Sequence, residues 1–120
     1  MAKKIAKPTF IEGAGNQPKI IEEFVGNINT KTSKISIARM KSPGGWVEPG
    51  QTPEFDEYTF VIRGELHVKT TQSTLVVKEG ETVVAEAGDW VQYSTPNPGG
   101  AEYIAICVPA FSPELVNRDE

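Results

Sequence analysis

The chain has 120 residues, 38% of them hydrophobic, and its 11 glycines and 9 prolines indicate a turn-rich fold rather than a helical one. This length suits one domain and is too short for two ordinary ones. The formal net charge of −4 argues against nucleic acid as a partner, because phosphate binding needs a basic surface.

Cysteine usage and hydropathy indicate the cellular compartment in which the protein is expected. The single cysteine, Cys107, cannot form an internal disulfide, which favours a reducing cytoplasm. The lysines near the N-terminus are not followed by the apolar stretch of a signal peptide. No apolar run approaches the roughly 20 residues that span a bilayer. We therefore expect a cytoplasmic protein with no membrane partner.

Short β-rich runs follow one another along the chain, separated by glycine and proline, with almost no helical periodicity. Residues 1–17 are expected to form an arm with one short strand around Phe10, and residues 18–25 an edge strand. Further strands are predicted at 35–40, 58–62, 65–70, 74–78, 82–85, 90–94 and 102–108. Several short strands at a spacing of roughly 8–12 residues are typical of a sandwich or barrel.

The C-terminal residues 112–120 differ from the rest. Ser112 and Pro113 predict a short helical turn, with serine at the N-cap and proline at the first position. The polar tail from Asn117 is expected to fray. The chain is thus divided into an N-terminal arm (1–17), an all-β barrel (18–111) and a C-terminal turn and tail (112–120).

Two glycine-spaced segments resemble the paired signatures of the cupin family. In the first, Glu57 is followed by six residues and then Gly64. In the second, Gly80 and Gly88 have the family's spacing, and the interval between the two segments matches a small cupin. The resemblance spans about residues 35–110. It implies a double-stranded β-helix, the cupin or jelly-roll barrel of mostly antiparallel strands, with glycines of positive φ at its corners.

One branch of the family is most similar. Asp56-Glu57, the segment Gly64-Glu65-Leu66-His67-Val68 and the aliphatic Val91 resemble the ethanolamine-utilisation-type cupins, as does the closing Val108-Pro109-Ala110. This resemblance implies a kinship of fold and pocket. It does not by itself imply ethanolamine metabolism.

Typical cupins bind a divalent metal with three histidines and one glutamate, and this sequence keeps only the glutamate, Glu57. Other residues take the histidine positions: Gly50 and Thr52 (or Gln51 and Pro53, if the spacer is one residue shorter) and Val91. No cofactor is predicted, because these side chains cannot replace imidazoles. The alternative is a divalent metal in a remodelled carboxylate site, in which Glu57 joins Glu48, Glu54 or Asp56.

Strand alternation predicts which side chains face the barrel interior. If Glu57 points inward, Thr59 does so as well, and Tyr93 follows an inward Val91. The residues expected to bind a ligand are Trp46, Gln51, Thr52, Glu57, Thr59 and Tyr93. Glu57 is the candidate catalytic residue, because a buried carboxylate with a raised pKa can act as an acid or base. Its structural alternative is a hydrogen bond across the barrel.

Other conspicuous residues are assigned ordinary roles. His67, the only histidine, is expected to point outward, since Leu66 and Val68 have the pattern of buried neighbours. Cys107 is expected to be a buried, inert thiol. Glu86 is expected on a surface turn.

Three functions remain open from the sequence. The first is a cupin with a degenerate metal site that binds a small polar metabolite in its barrel. The second is an isomerase, epimerase or lyase that uses Glu57 as acid or base, with or without a non-canonical metal. The third is a structural or assembly protein, in which the N-terminal arm and a sheet face form a homodimer. The exposed strand edge expected at residues 18–25 would also allow β-sheet pairing between protomers.

Overall fold

The computed structural model describes residues 1–120 and contains nine strands and one helical turn. The strands are β1 (Thr9–Ile11), β2 (Ile20–Val25), β3 (Ser36–Ser42), β4 (Trp46–Val47), β5 (Asp56–Lys69), β6 (Thr74–Lys78), β7 (Thr82–Ala85), β8 (Gln92–Thr95) and β9 (Ala101–Val108), and the helix is α1 (Pro113–Val116). No helix is both long and apolar enough to cross a membrane. The predicted all-β class is confirmed.

All strand pairs are antiparallel, and they form two walls. The larger wall has the order β1-β2-β3-β9-β5-β7, and the smaller wall has β4-β8-β5-β6. Strand β5 belongs to both, because its first half pairs with β9 and β7 while its second half pairs with β6 and β8. This shared strand closes the two walls around one interior.

The predicted break at Arg63-Gly64 is wrong, because β5 runs through it without ending. The register with β9 shifts between Val61 and Arg63, and Gly64 has a φ of +79°. A bulge next to a left-handed glycine bends a strand and increases its twist. The glycine therefore turns β5 from one wall into the other, and Gly80 and Gly88 have the positive φ expected at corners.

The expectation of an exposed edge at residues 18–25 is also wrong. Strand β2 is paired on both sides, with β1 along Thr9–Ile11 and with β3 along Ser36–Ser42. The short strand expected around Phe10 is present as β1, and it covers the edge that β2 would otherwise expose. Pairing of protomers through β2 is therefore blocked by the chain's own arm.

Apolar side chains fill one part of the interior. The main core cluster is formed by inward residues of both walls: Trp46, Val61, Leu66, Val68, Val77, Val83, Ala85, Val91, Tyr93, Ala101 and Tyr103. Leu66 and Val68 are fully buried, and His67 between them points outward toward Glu65, as predicted. A smaller cluster of Phe55, Cys107 and Val116 lies under α1.

The C-terminal tail is held against the barrel, which corrects the expectation that it frays. The Thr52 N–H donates to the Asn117 carbonyl, and the Asn117 side chain donates to the Thr52 carbonyl. The backbone of Arg118 forms a β-bridge with Gln51. The indole Nε1 of Trp90 donates to Asp119 at 2.9 Å. Ser112 and Pro113 do begin the helical turn, although the serine hydroxyl makes no capping hydrogen bond. The tail therefore forms part of the barrel's rim.

Candidate functional site

A cavity of about 80 Å³, measured as the space open to the centres of water molecules, lies between the two walls above the main core cluster. A water molecule needs roughly 10–15 Å³ of such space, so several waters or one small molecule fit. Its lining includes the charged residues Lys19, Glu48, Glu57 and Arg118 together with tyrosine, tryptophan and phenylalanine. Mixed apolar walls with a few convergent polar groups are typical of small-molecule sites.

Glu57 reaches the cavity from β5, because the alternation of that strand turns positions 57, 59 and 61 inward. Protein surrounds its carboxyl group, yet the residue keeps some surface open to the cavity. Burial, with a smaller contribution from the nearby charge of Glu48, raises the pKa of Glu57 to about 7. Tyr93, on the opposite wall, donates its hydroxyl to Glu57 Oε1 at 3.5 Å.

A second buried carboxylate, Glu48, follows the short strand β4. Its backbone N–H donates to Tyr93, and its carbonyl accepts from the Gln92 side chain, so both neighbours fix its position. Burial raises the pKa of Glu48, while the charges of Lys19 and Arg118 oppose the shift. Two carboxyl groups whose pKa values are raised by burial therefore face one cavity, and perturbed carboxyl groups in a cleft are common in acid–base sites.

Lys19 brings an amine into the same space. Its Nζ lies 3.4 Å from the Tyr103 hydroxyl and 3.6 Å from Met40 Sδ, and 4.0 Å from the centre of the Trp46 ring. Burial lowers the pKa of Lys19, against the opposing charges of Glu48 and Glu57. The amine thus has weak polar neighbours in place of a close carboxylate.

None of these buried ionisable groups forms an ion pair. The only ion pairs of the chain join Arg39 to Glu22 and His67 to Glu65, both outside the cavity. Buried charges in proteins are ordinarily paired, because an unpaired one carries its full desolvation cost. A lysine and two carboxylates that share a cavity without pairing are therefore not explained as a structural salt bridge.

Thr59 adds an unsatisfied group to the lining. Its side chain is 1% exposed, and its Oγ1 is the only buried side-chain oxygen or nitrogen without a hydrogen-bond partner. Such an orphan costs about 1–3 kcal/mol, and native structures usually satisfy it with protein, water or a ligand. Thr59 is one of the residues that line the cavity, and its hydroxyl has no partner within the protein.

The structure brings together most of the residues predicted to bind a ligand. Trp46, Gln51, Glu57, Thr59 and Tyr93 all line the cavity. Thr52 is not among the lining residues, and its backbone N–H and carbonyl are hydrogen-bonded to Asn117. The residue next to it in the chain, Gln51, points inward instead, as strand-like alternation requires.

The alternative metal site does not form as expected. Glu54 is exposed and bonded to Asn117, and Asp56 accepts from the Ala87 backbone, so neither faces the cavity. No group of three or more His, Cys, Asp or Glu side chains is placed to hold a metal ion. Val91 occupies the position of a motif histidine and is part of the apolar core. The donor set therefore does not fit the three-histidine metal site of typical cupins.

Cys107 and Glu86 lie where the sequence placed them. Cys107 is buried, and burial raises its pKa, so a thiolate is disfavoured. Glu86 is exposed on the turn after β7. Trp90 is half-buried and belongs to the rim, where it contacts the tail.

Sequence reasoning missed three groups of the site. Lys19 precedes β2 and shares the inward parity of Ile21 and Glu23, and this alternation is the local signal for its orientation. Tyr103 alternates with small inward residues on β9, and its burial pattern follows that alternation. Arg118 belongs to the tail expected to fray, and no local pattern predicts that its backbone bridges to the barrel.

Comparison with known proteins supports the cupin fold. No protein-family model matches the chain. The ethanolamine utilization protein Q of Salmonella typhimurium superposes with a TM-score of 0.67 at 17% identity, over 88% of this chain and 98% of that one. An RmlC-like cupin from Shewanella frigidimarina gives a TM-score of 0.72 at 14% identity, over 90% and 89%. The chain therefore has the cupin fold, and the resemblance to the ethanolamine-utilisation branch is confirmed at the level of fold.

One curated relative is similar in sequence. It is the endoribonuclease YbeY of Myxococcus xanthus, 42% identical over 101 residues, which are 84% of this chain. The chain spans about a third of that relative, 34% of its length. The match thus relates this chain to one segment of a longer protein.

Proposed function

We propose that the barrel cavity binds a small polar metabolite. The observation that supports this most strongly is the orphan hydroxyl of Thr59, which faces the same space as Glu57, Glu48 and Lys19. Each of these groups carries a desolvation cost in the empty cavity. A bound molecule with both hydrogen-bond donors and acceptors would offset several of these costs at once.

The chemistry of the lining defines the ligand. A cavity of about 80 Å³ suits a molecule of a few heavy atoms. Lys19 and Arg118 favour an acceptor or anionic group of the ligand, while a protonated Glu57, which accepts from the Tyr93 hydroxyl, can donate to a ligand oxygen. Trp46 provides an apolar surface against which the ligand's carbon atoms pack. The proposed site does not use a metal.

Thermal unfolding in the presence of small hydroxy acids, oxo acids, sugars and amines tests this proposal. A ligand that binds the folded chain raises its Tm in a concentration-dependent manner. The shift should be lost in Thr59→Val and Glu57→Gln, and kept in the surface control Glu86→Gln, because Glu86 is exposed. A shift that is equal in all three variants would place binding elsewhere.

Acid–base catalysis is the second candidate function, and the Glu57–Tyr93 contact favours it. A carboxyl group with a pKa of about 7 can give and take a proton near neutral pH, which suits isomerisation, epimerisation or elimination. A bell-shaped or sigmoidal dependence of rate on pH centred near 7, lost in Glu57→Gln, would support this reading. Unchanged activity in that variant would rule out Glu57 as the base.

Endoribonuclease activity is not proposed for this chain. The activity in the relative's name belongs to a longer protein, and this chain matches 34% of its length. A net charge of −4 and a cavity lined by four glutamates disfavour an RNA backbone. A ligand-binding segment within a longer enzyme is compatible with a sensing or accessory role.

A homodimer is proposed through the outer face of the larger wall rather than through a strand edge. Cross-strand neighbours on this face are apolar: Val84 lies beside Tyr58, Tyr58 beside Ile106, and Ile106 beside Ile37. Tyr58, Phe60 and Val84 are 40%, 46% and 52% exposed. Antiparallel sheets with one solvated face ordinarily alternate apolar and polar residues, so an apolar outer face favours coverage by a second copy.

A further inference from the structure

The amine of Lys19 is set apart from the other lysines of the chain by its surroundings. It is the only lysine in the lining of the cavity. Its nearest polar atoms are a tyrosine hydroxyl and a thioether sulfur, and no carboxylate oxygen lies within 4.0 Å of it. An amine so placed is poorly stabilised as an ammonium ion, apart from the contact with the Trp46 ring.

The cavity also supplies the other groups that imine chemistry needs. An amine acts as a nucleophile only when it is neutral, and burial shifts Lys19 toward that form. Loss of water from the first adduct needs an acid, and Glu57 holds a proton up to a pH of about 7. Glu57 and Lys19 are close enough for the charge of each to affect the other.

We infer that Lys19 forms an imine with a small aldehyde or ketone bound in the cavity. This inference rests on the proposed metabolite site and names the class of its ligand. The substrate must be small, because the space above the core holds few heavy atoms. It must carry a carbonyl carbon that can approach Nζ beside the Tyr103 hydroxyl.

The step is balanced without an oxidant or a reductant. The lone pair of neutral Nζ forms a bond to the carbonyl carbon, the carbonyl π electrons move to oxygen, and a proton passes from nitrogen to that oxygen. Glu57 then protonates the hydroxyl group, the C–O bond breaks, and water leaves. The products are a protonated imine and the Glu57 carboxylate, two opposite charges in one enclosed space. Hydrolysis returns the free lysine by the reverse route.

Reductive trapping on the full chain tests the inference. Glyoxylate and cyanoborohydride are added near pH 7, and peptide mass spectrometry then measures the rate of modification at each lysine. We expect Lys19 to react at least about tenfold faster than the exposed Lys41, because an aldehyde held in the cavity beside Nζ has a high effective concentration there. Lys19→Arg should abolish the fast adduct, and Lys41→Arg should leave it unchanged.

The failure of this inference can be distinguished from the failure of the metabolite site. Glycolate has the size of glyoxylate but no aldehyde or ketone carbon, so it can occupy the cavity without forming an imine. A Tm increase with glycolate that depends on Thr59, together with no preferential trapping at Lys19, would overturn the imine and leave the metabolite site standing. Adducts that form on exposed lysines as fast as on Lys19 would also overturn it. Fast trapping at Lys19 that glycolate slows would support both.

Discussion

Tyr93 and Glu57 lie on opposite walls of the barrel, and the Tyr93 hydroxyl donates to Glu57 Oε1 across 3.5 Å. This contact joins β8 to β5 within the lining of the cavity. Burial nevertheless outweighs the hydrogen bond, so the pKa of Glu57 rises to about 7. The free energy of unfolding should therefore depend on pH through this one carboxyl group.

Glu57→Gln should remove the pH dependence of the free energy of unfolding that Glu57 causes. Between pH 4.5 and about 7 the unfolded chain loses the Glu57 proton while the folded chain keeps it, so the free energy of unfolding falls as pH rises. Above pH 7 the folded chain has also lost this proton, so the free energy of unfolding falls no further. From pH 4.5 to pH 8, the free energy of unfolding of the variant should therefore rise by up to about 3 kcal/mol relative to that of wild type. Urea denaturation at both pH values measures this, with Glu86→Gln as the control. An equal difference at the two pH values would contradict a raised pKa.

Thr59→Val should stabilise the ligand-free chain. The change is close to isosteric and removes the orphan hydroxyl, which should raise the free energy of unfolding by about 1–2 kcal/mol. Thr95→Val is the matched control, because Thr95 is equally buried but its hydroxyl donates to the Pro43 carbonyl at 2.8 Å. That control should lose about 1–2 kcal/mol instead. Destabilisation of both variants alike would indicate that Thr59 has a partner in solution.

Gly64→Ala should be far more damaging than Gly88→Ala. Both glycines have positive φ, which costs an alanine about 1–2 kcal/mol. At Gly64 the added Cβ would also collide with the Gly100 carbonyl, whereas at Gly88 it would meet nothing within 4 Å. We expect a loss of at least about 3 kcal/mol at Gly64, since overpacking adds to the conformational cost. Equal losses, measured by urea denaturation, would mean that Gly64 is not the tight corner of β5.

Phe60→Lys should weaken the proposed dimer. Phe60 lies beside Ile104 on the outer face of the larger wall, so a charge there opposes its burial between two copies. Size-exclusion chromatography with light scattering should give a dimer for wild type and a monomer for the variant. Leu75→Lys changes an equally exposed residue on the smaller wall and should leave the dimer intact. A wild-type monomer at high concentration would exclude the dimer.

Periodicity predicted an all-β sandwich or barrel, and the resemblance to the paired cupin signatures predicted which barrel. Alternation placed Glu57, Thr59 and Tyr93 correctly, because strand parity is a local property of the chain. The continuation of β5 through Gly64 could not be read, since a left-handed glycine ends a strand as readily as it bends one. The site was only partly predictable for a similar reason. Lys19 and Arg118 reach the cavity through pairings made far along the chain, which no local pattern encodes.

The central claim is that the barrel contains a site for a small polar molecule. The most direct test is a crystal of the full chain soaked with a mixture of small hydroxy acids, oxo acids, sugars and amines. We predict density for one such molecule in the cavity, with a polar atom at hydrogen-bond distance from Thr59 Oγ1 and another near Glu57 or Lys19. A cavity closed by protein side chains, or one in which Lys19 pairs directly with Glu57 or Glu48 and no ligand enters, would contradict the account.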